Sequence, residues 1–289
     1  MRNVTFATYG QIVYWISMLS GFVAASWIAI RRRRYVRTVL GYGLLWSIPI
    51  LLAEVAFLAA CVSAWENEKG KSLDISFERD TILLESIISV PCKFVGSVLF
   101  VVSGMYLAAR SGRACLPLLR AASRRRKAAG RRILATDSWP ILGEAILVAV
   151  FCYSYTIFIF AVGKPHESEE IKKLVDAIGQ GTAENLLFFK GLVSAPLFEE
   201  IVFRHFLQRA LGRILGGRPD SRAAAVFLAS LFWSLGHAGV VSPEWVKLAQ
   251  TLPLGLALGW LYERRGLESS VLAHFLFNGV SAILMAQSR

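Results

Sequence analysis

From Gln11 to Met285 the chain returns repeatedly to stretches of about 20 mainly apolar residues, the length a helix needs to cross a hydrocarbon core of roughly 30 Å. Eight can be parsed: Gln11 to Ile30, Leu40 to Ala64, Ile82 to Ala109, Pro140 to Gly163, Leu186 to Leu207, Ala223 to Val241, Trp245 to Tyr262 and Ser269 to Met285. In lipid every backbone polar group must be satisfied within its own segment, so stretches of this length are read as helices. The expected fold is an all-α polytopic membrane protein of about eight transmembrane helices.

Composition agrees, since 55% of residues are hydrophobic and only 18% charged. A net charge of +12 would suit nucleic acid only if it formed a basic face on a water-soluble fold, and here the arginines fall in short runs between apolar stretches. No nucleic-acid partner is expected. Twenty of the 32 Lys and Arg residues lie on one side of the alternating spans: Arg31 to Arg34 with Arg37, nine between Arg110 and Arg132, Arg209, Arg213, Arg218, Arg222, Arg264 and Arg265. The positive-inside rule puts these loops in the cytoplasm and both termini outside, and anionic lipids become expected partners of the basic loops. The first span precedes its basic run, the reverse of a secretory signal, so it reads as a retained anchor. Cys61, Cys92, Cys115 and Cys152 show no CxxC spacing and read as small buried apolar side chains.

Residues 1–138 form an N-terminal membrane region of three helices followed by the Arg-rich segment, and residues 139–289 a second membrane core. No internal repeat at a fixed period supports a paired-repeat transporter.

Polar residues inside apolar spans carry the chemistry, because each intramembrane charge costs about 2.5 kcal/mol or more and needs a partner, water or a function. The fifth span holds Pro196, Glu199, Glu200 and Arg204, the sixth His237, and the eighth His274 and Asn278. Glu200 and Arg204, four apart, share a helical face and can form an ion pair, while Glu199 points about 100° away at 3.6 residues per turn. His274 and Asn278, also four apart, can aim donors at a common point. A carboxylate facing a histidine, with paired donors nearby, is what water-mediated amide hydrolysis requires.

At these residues the chain resembles a known family. Glu199-Glu200-Ile-Val-Phe-Arg204 matches EExxxR, His237 occupies the second motif, and His274-Phe-Leu-Phe-Asn278 matches HxxxN. These are the motifs of the CPBP intramembrane proteases, which include the CAAX prenyl endopeptidases and the bacterial Abi-type proteins. The segment from Gly255 to Gly266 is similar too, and the resemblance spans roughly Pro140 to Met285. One departure stands out: the second motif is usually FxxxH, whereas Trp233 sits four residues before His237, with Phe232 one place earlier. Altered packing around His237 and a changed substrate fit are expected from it.

The resemblance implies an intramembrane endopeptidase with a catalytic cavity among the C-terminal helices, in a bacterial plasma membrane. It implies Glu199 as general base, assisted by His237, His274 and Asn278 as oxyanion stabilisers, and Glu200 with Arg204 as supports. The implied partner is a peptide or protein with a lipidated or transmembrane C-terminal segment. No cofactor is favoured, yet Glu199, His237 and His274 are competent zinc ligands, so a zinc-dependent variant stays open although HExxH is absent. Two other readings also remain: a catalytically silent peptide-binding or immunity protein, and a transporter using intramembrane carboxylates such as Glu54, Glu85 and Glu144 with Lys93 and Lys190. Glu54 is a candidate partner for Lys93. Glu85 and Lys190 are expected to snorkel, Gly255 and Gly259 to allow close helix packing, His205 to face headgroups, and His166 to be solvated.

Overall fold

The computed structural model describes residues 6–67, 73–110, 134–167 and 190–287. Within them the chain forms α1 (Phe6–Arg31), α2 (Arg33–Asn67), α3 (Leu73–Arg110) and α4 (Leu134–Gly163). A continuous helix α5 then runs from Lys190 to Ile214, followed by α6 (Pro219–Leu235), α7 (Glu244–Arg265) and α8 (Leu267–Gln287). Two short strands, β1 (His166–Glu167) and β2 (Val241–Ser242), pair antiparallel and tie the end of α4 to the approach to α7. The all-α polytopic fold is therefore present. Most of the Arg-rich segment and most of the loop after α4 lie outside the described residues, as do the side chains of Glu85 and Lys190.

The outer surface differs from that of a water-soluble protein. Trp15 keeps 65% and Phe151 72% of its surface exposed, whereas Glu200, Arg204 and His205 are fully enclosed. An apolar outer surface, with a few charged side chains enclosed in a largely apolar interior, suits lipid as the surrounding solvent. Helices α1 to α4 supply spans long and apolar enough to cross a membrane, at Ile12–Arg31, Arg33–Ala59, Ile87–Ala109 and Pro140–Gly163. Helices α7 and α8, with 22 and 21 residues, have comparable length but carry more polar side chains. Among them Gln250, Thr251, Ser269, Ser270 and His274 are buried.

Helix α5 is central. Its Glu200–Gln208 portion packs against α1, α3, α6, α7 and α8, and Ile201, Val202, Phe203 and Phe206 join Phe100, Val101, Trp233, Leu258 and Tyr262 in one buried cluster. Gly255 and Gly259 sit where added Cβ atoms would meet Ser230 and Trp233, and Val226 and Gln208, so α7 approaches α5 and α6 closely, as their spacing suggests. Gly266 makes the turn from α7 into α8 at φ 92°, ψ −176°, a conformation essentially restricted to glycine.

Three sequence expectations change. His205 does not face headgroups: its ring is buried between α3 and α7, Nδ1 3.1 Å from the Tyr262 hydroxyl and Nε2 3.2 Å from the Val101 carbonyl. The reason is that α5 has no outward face here, because Gly104 of α3 lets the His205 ring lie directly on its backbone. The sixth span was expected to stay helical to Val241, but α6 ends at Leu235 in a Leu-Gly-His-Ala-Gly sequence, and His237 lies in the turn beyond. Cys152 is buried as expected of a small apolar residue, whereas Cys92 is exposed on the apolar outer surface. Lys93 does pair with Glu54, at 2.8 Å, and the Ser194 hydroxyl donates to the same carboxylate at 2.5 Å. Glu144 is taken by Arg264 and Arg265.

Candidate active site

The local form of α5 sets the site. Residues Lys190–Ser194 and Glu200–Gln208 are wound as π-helix, with Ala195–Glu199 between them as α-helix. Pro196 has no N–H to give to the carbonyl one turn back and crowds it, a local cause for the wider turn before it. Asn278 of α8 uses that widened turn, its Nδ2 donating to the Gly191 carbonyl at 2.8 Å. The two glutamates fall on the junction between the α and second π segments. The 100° separation expected for a regular helix therefore does not describe them.

Glu200 faces inward. It is fully buried, 3.1 Å from His274 Nδ1 and 3.6 Å from Arg204 Nε. At 3.6 Å the Arg204 contact is electrostatic and not a hydrogen bond. The three guanidinium nitrogens of Arg204 have no hydrogen-bond partner among the described residues, and the group lies over the Trp233 ring at 5.0 Å. Ring quadrupole and carboxylate together compensate the enclosed cation.

Glu199 points elsewhere and keeps 19% of its side-chain surface. Its Oε2 accepts the indole N–H of Trp233 at 2.6 Å, and His274 Nε2 stands 3.9 Å away. That gap exceeds a hydrogen bond and leaves both groups capacity for a third molecule. His237 Nδ1 lies 2.9 Å from the Trp233 carbonyl. A carbonyl only accepts, so Nδ1 carries the proton in this contact and the neutral ring presents Nε2 as an acceptor.

The structure gathers Glu199, Glu200, Arg204, His237 and His274 around Trp233, whereas Asn278 is engaged apart from them, by the Gly191 backbone. His274 and Asn278 do not share one target: His274 Nδ1 is engaged by Glu200 and Asn278 by the Gly191 backbone. Among the described residues no three His, Cys, Asp or Glu side chains are grouped at metal-ligand spacing. Sequence reading also missed the connecting piece. Trp233, marked only as a departure from an aromatic motif, touches nearly the whole site: its N–H holds Glu199, its ring packs edge-on to His237 (4.8 Å) and His274 (5.5 Å), and it covers Arg204. The available signal was chemical, since Trp has an N–H donor that Phe lacks.

Fold and centre together define a class: a polytopic helical membrane protein that buries polar, hydrolase-type side chains among its C-terminal helices. Residues 181–280 match the family model described as Type II CAAX prenyl endopeptidase Rce1-like, a segment that contains all six residues. The resemblance to CPBP proteases is borne out by this match, which at family level is to intramembrane CAAX-type endopeptidases acting on proteins with a CAAX-type C-terminus. No curated protein and no solved structure matches the chain significantly.

Proposed function

We propose that this protein hydrolyses a peptide bond of a lipidated or membrane-embedded substrate inside the bilayer, with water activated by Glu199 and His237. The observation that carries the reading is the Glu199 carboxylate, held by the Trp233 N–H, with His274 Nε2 facing it at 3.9 Å, a base and a donor that are near one another but not bonded to each other. Glu199 takes a proton as the water oxygen adds to the carbonyl carbon, and the C–N bond breaks as a proton passes to the leaving amine. The products are a new carboxylate and a new amine. His237, held through Nδ1, offers Nε2 for the proton in transit.

His274 stabilises the oxyanion through Nε2. With Nδ1 on the Glu200 carboxylate this requires both ring nitrogens to be protonated, and Glu200 supplies the countercharge. The second N–H of Asn278 joins it when substrate approaches the widened turn at Gly191. The mechanism needs no metal ion. Arg204 and Glu200 act as supports that keep the junction at Glu199 in place. The basic loops face the cytoplasm and contact anionic lipid there.

Glu199→Gln, which preserves the indole contact, is expected to abolish cleavage of a prenylated CAAX-type peptide while expression and thermal unfolding stay as in the wild type. Full cleavage by that variant would remove Glu199 from the role of base.

A further inference from the structure

Gly236, the residue before His237, is not required by its own backbone, because φ −64° and ψ −16° suit any residue. Space is what requires it. A Cβ at this position would overlap the ring of Tyr14 of α1, so that ring lies directly against the chain leading into His237. One turn earlier on α1, a Cβ on Gly10 would stand 3.1 Å from the Leu235 carbonyl oxygen and 3.2 Å from the Ala238 Cβ. Gly10 and Tyr14 thus meet the turn at Leu235, Gly236 and Ala238, on both sides of His237.

Much of α1 faces outward, with Trp15, Ile16 and Leu19 exposed, and its protein contacts follow a narrow seam. Met18, one turn beyond Tyr14, packs on the buried cluster, and Gly21 lies against Phe100 and Phe206. The Tyr14 ring is itself held. It stacks on Phe203 of α5 with centroids 5.9 Å apart, so one side chain bridges the helix that bears Glu199 and the turn that bears His237.

His237 has use for such a brace. Its Nδ1 bonds only to the Trp233 carbonyl of its own helix, and the tie from α6 to α7, Ser234 to Thr251, lies three residues earlier. The backbone has by then tightened into short-range bonds, His237 N–H to the Ser234 carbonyl and Ala238 N–H to that of Leu235. A ring at the end of so short a turn takes its direction from what the turn rests on.

We infer that Tyr14 is a positioning residue for His237: its ring, stacked on Phe203, seats the turn and thereby sets where the free Nε2 stands relative to Glu199. This deepens the proposed function and rests on it. Helix α1, outside the segment that matches the family, then helps to build the active site.

The test uses the full chain in liposomes and a prenylated CAAX-type peptide. Tyr14→Ala is expected to lower kcat about tenfold or more with KM within twofold, since misplacing a reacting group by about 1 Å can cost a hundredfold. Tyr14→Phe, which keeps the ring, should retain wild-type kcat. Met18→Ala, on the same seam, should lower the melting temperature and leave kcat unchanged. Wild-type kcat in Tyr14→Ala, a loss in Tyr14→Phe, or an equal loss in Met18→Ala would each overturn the assignment. A second readout needs no turnover: diethyl pyrocarbonate labelling of His237, followed by mass spectrometry, should change severalfold in rate in Tyr14→Ala while His166 labels as before. An unchanged rate at His237 would refute the inference, whereas the hydrolase reading is judged separately by Glu199→Gln.

Discussion

Replacing Trp233 with Phe removes the indole N–H from the centre of the site, together with three ring atoms of a fully buried side chain. The Phe ring can still pack against His237 and His274 and still face Arg204, which in the wild type lie 4.8, 5.5 and 5.0 Å from the indole. What it cannot supply is the 2.6 Å donation to Glu199 Oε2. Hydrogen bonds to charged groups contribute about 1.5–3 kcal/mol. If the bond fixes Glu199 in the orientation that meets water, kcat should fall roughly tenfold to a hundredfold, at about 1.4 kcal/mol per factor of ten. KM should hardly move, because the indole nitrogen points at the base and not at the substrate. Steady-state cleavage of a prenylated CAAX-type peptide, run beside a thermal unfolding scan, gives both constants and shows whether the fold survived. A Trp233→Phe protein with wild-type kcat would refute the view that this hydrogen bond orders the base. The result would be informative for the motif itself, because Phe is the residue the resemblance leads one to expect at this position.

Other consequences are open to measurement. Gly104→Ala places a Cβ against the His205 ring and backbone, and overpacking of this kind costs about 1–3 kcal/mol, so a lower melting temperature is expected; an unchanged one would mean that α3 yields freely. Lys93→Met leaves the enclosed Glu54 without its cation and should destabilise by roughly 2 kcal/mol, below the usual cost of breaking a buried pair because Lys93 is 26% exposed. Adding Glu54→Gln in the same chain should recover much of that loss in a denaturation experiment. Treatment with a strong zinc chelator, followed by dialysis, should leave peptide cleavage intact if glutamate alone activates water. Activity lost to the chelator and restored by added zinc would overturn the metal-free mechanism.

Much of the fold is legible in the sequence, because crossing a bilayer imposes a length and an apolar composition that α1 to α4 satisfy openly. The six site residues are legible for a related reason: charge inside an apolar stretch is costly enough to stand out. The finer geometry is not, and the causes are local. Reading the fifth helix at 3.6 residues per turn cannot foresee the two π segments on either side of Glu199. Burial of His205 depends on a glycine about 100 positions earlier in α3, a long-range fact with no periodic signature. His237 was read on a helix because apolar composition continues past Leu235, although Gly236 and Gly239 mark the stop. His274 and Asn278 share a face as their spacing requires, yet each finds a partner on α5, which i, i+4 reasoning about α8 alone cannot supply.

The attachments of α5 to the first three helices bear on what could be cut away. Val101 and Leu107 lend their carbonyls to His205 and Arg213, and Glu54 grips Ser194 just upstream of the glutamates. Excising the stretch that matches the family would strip acceptors from side chains on the very helix that bears the chemistry, turning satisfied polar atoms into orphans in an oily medium. The smallest functional form is thus expected to keep α1 to α3, whose contribution is to hold a misshapen helix in register.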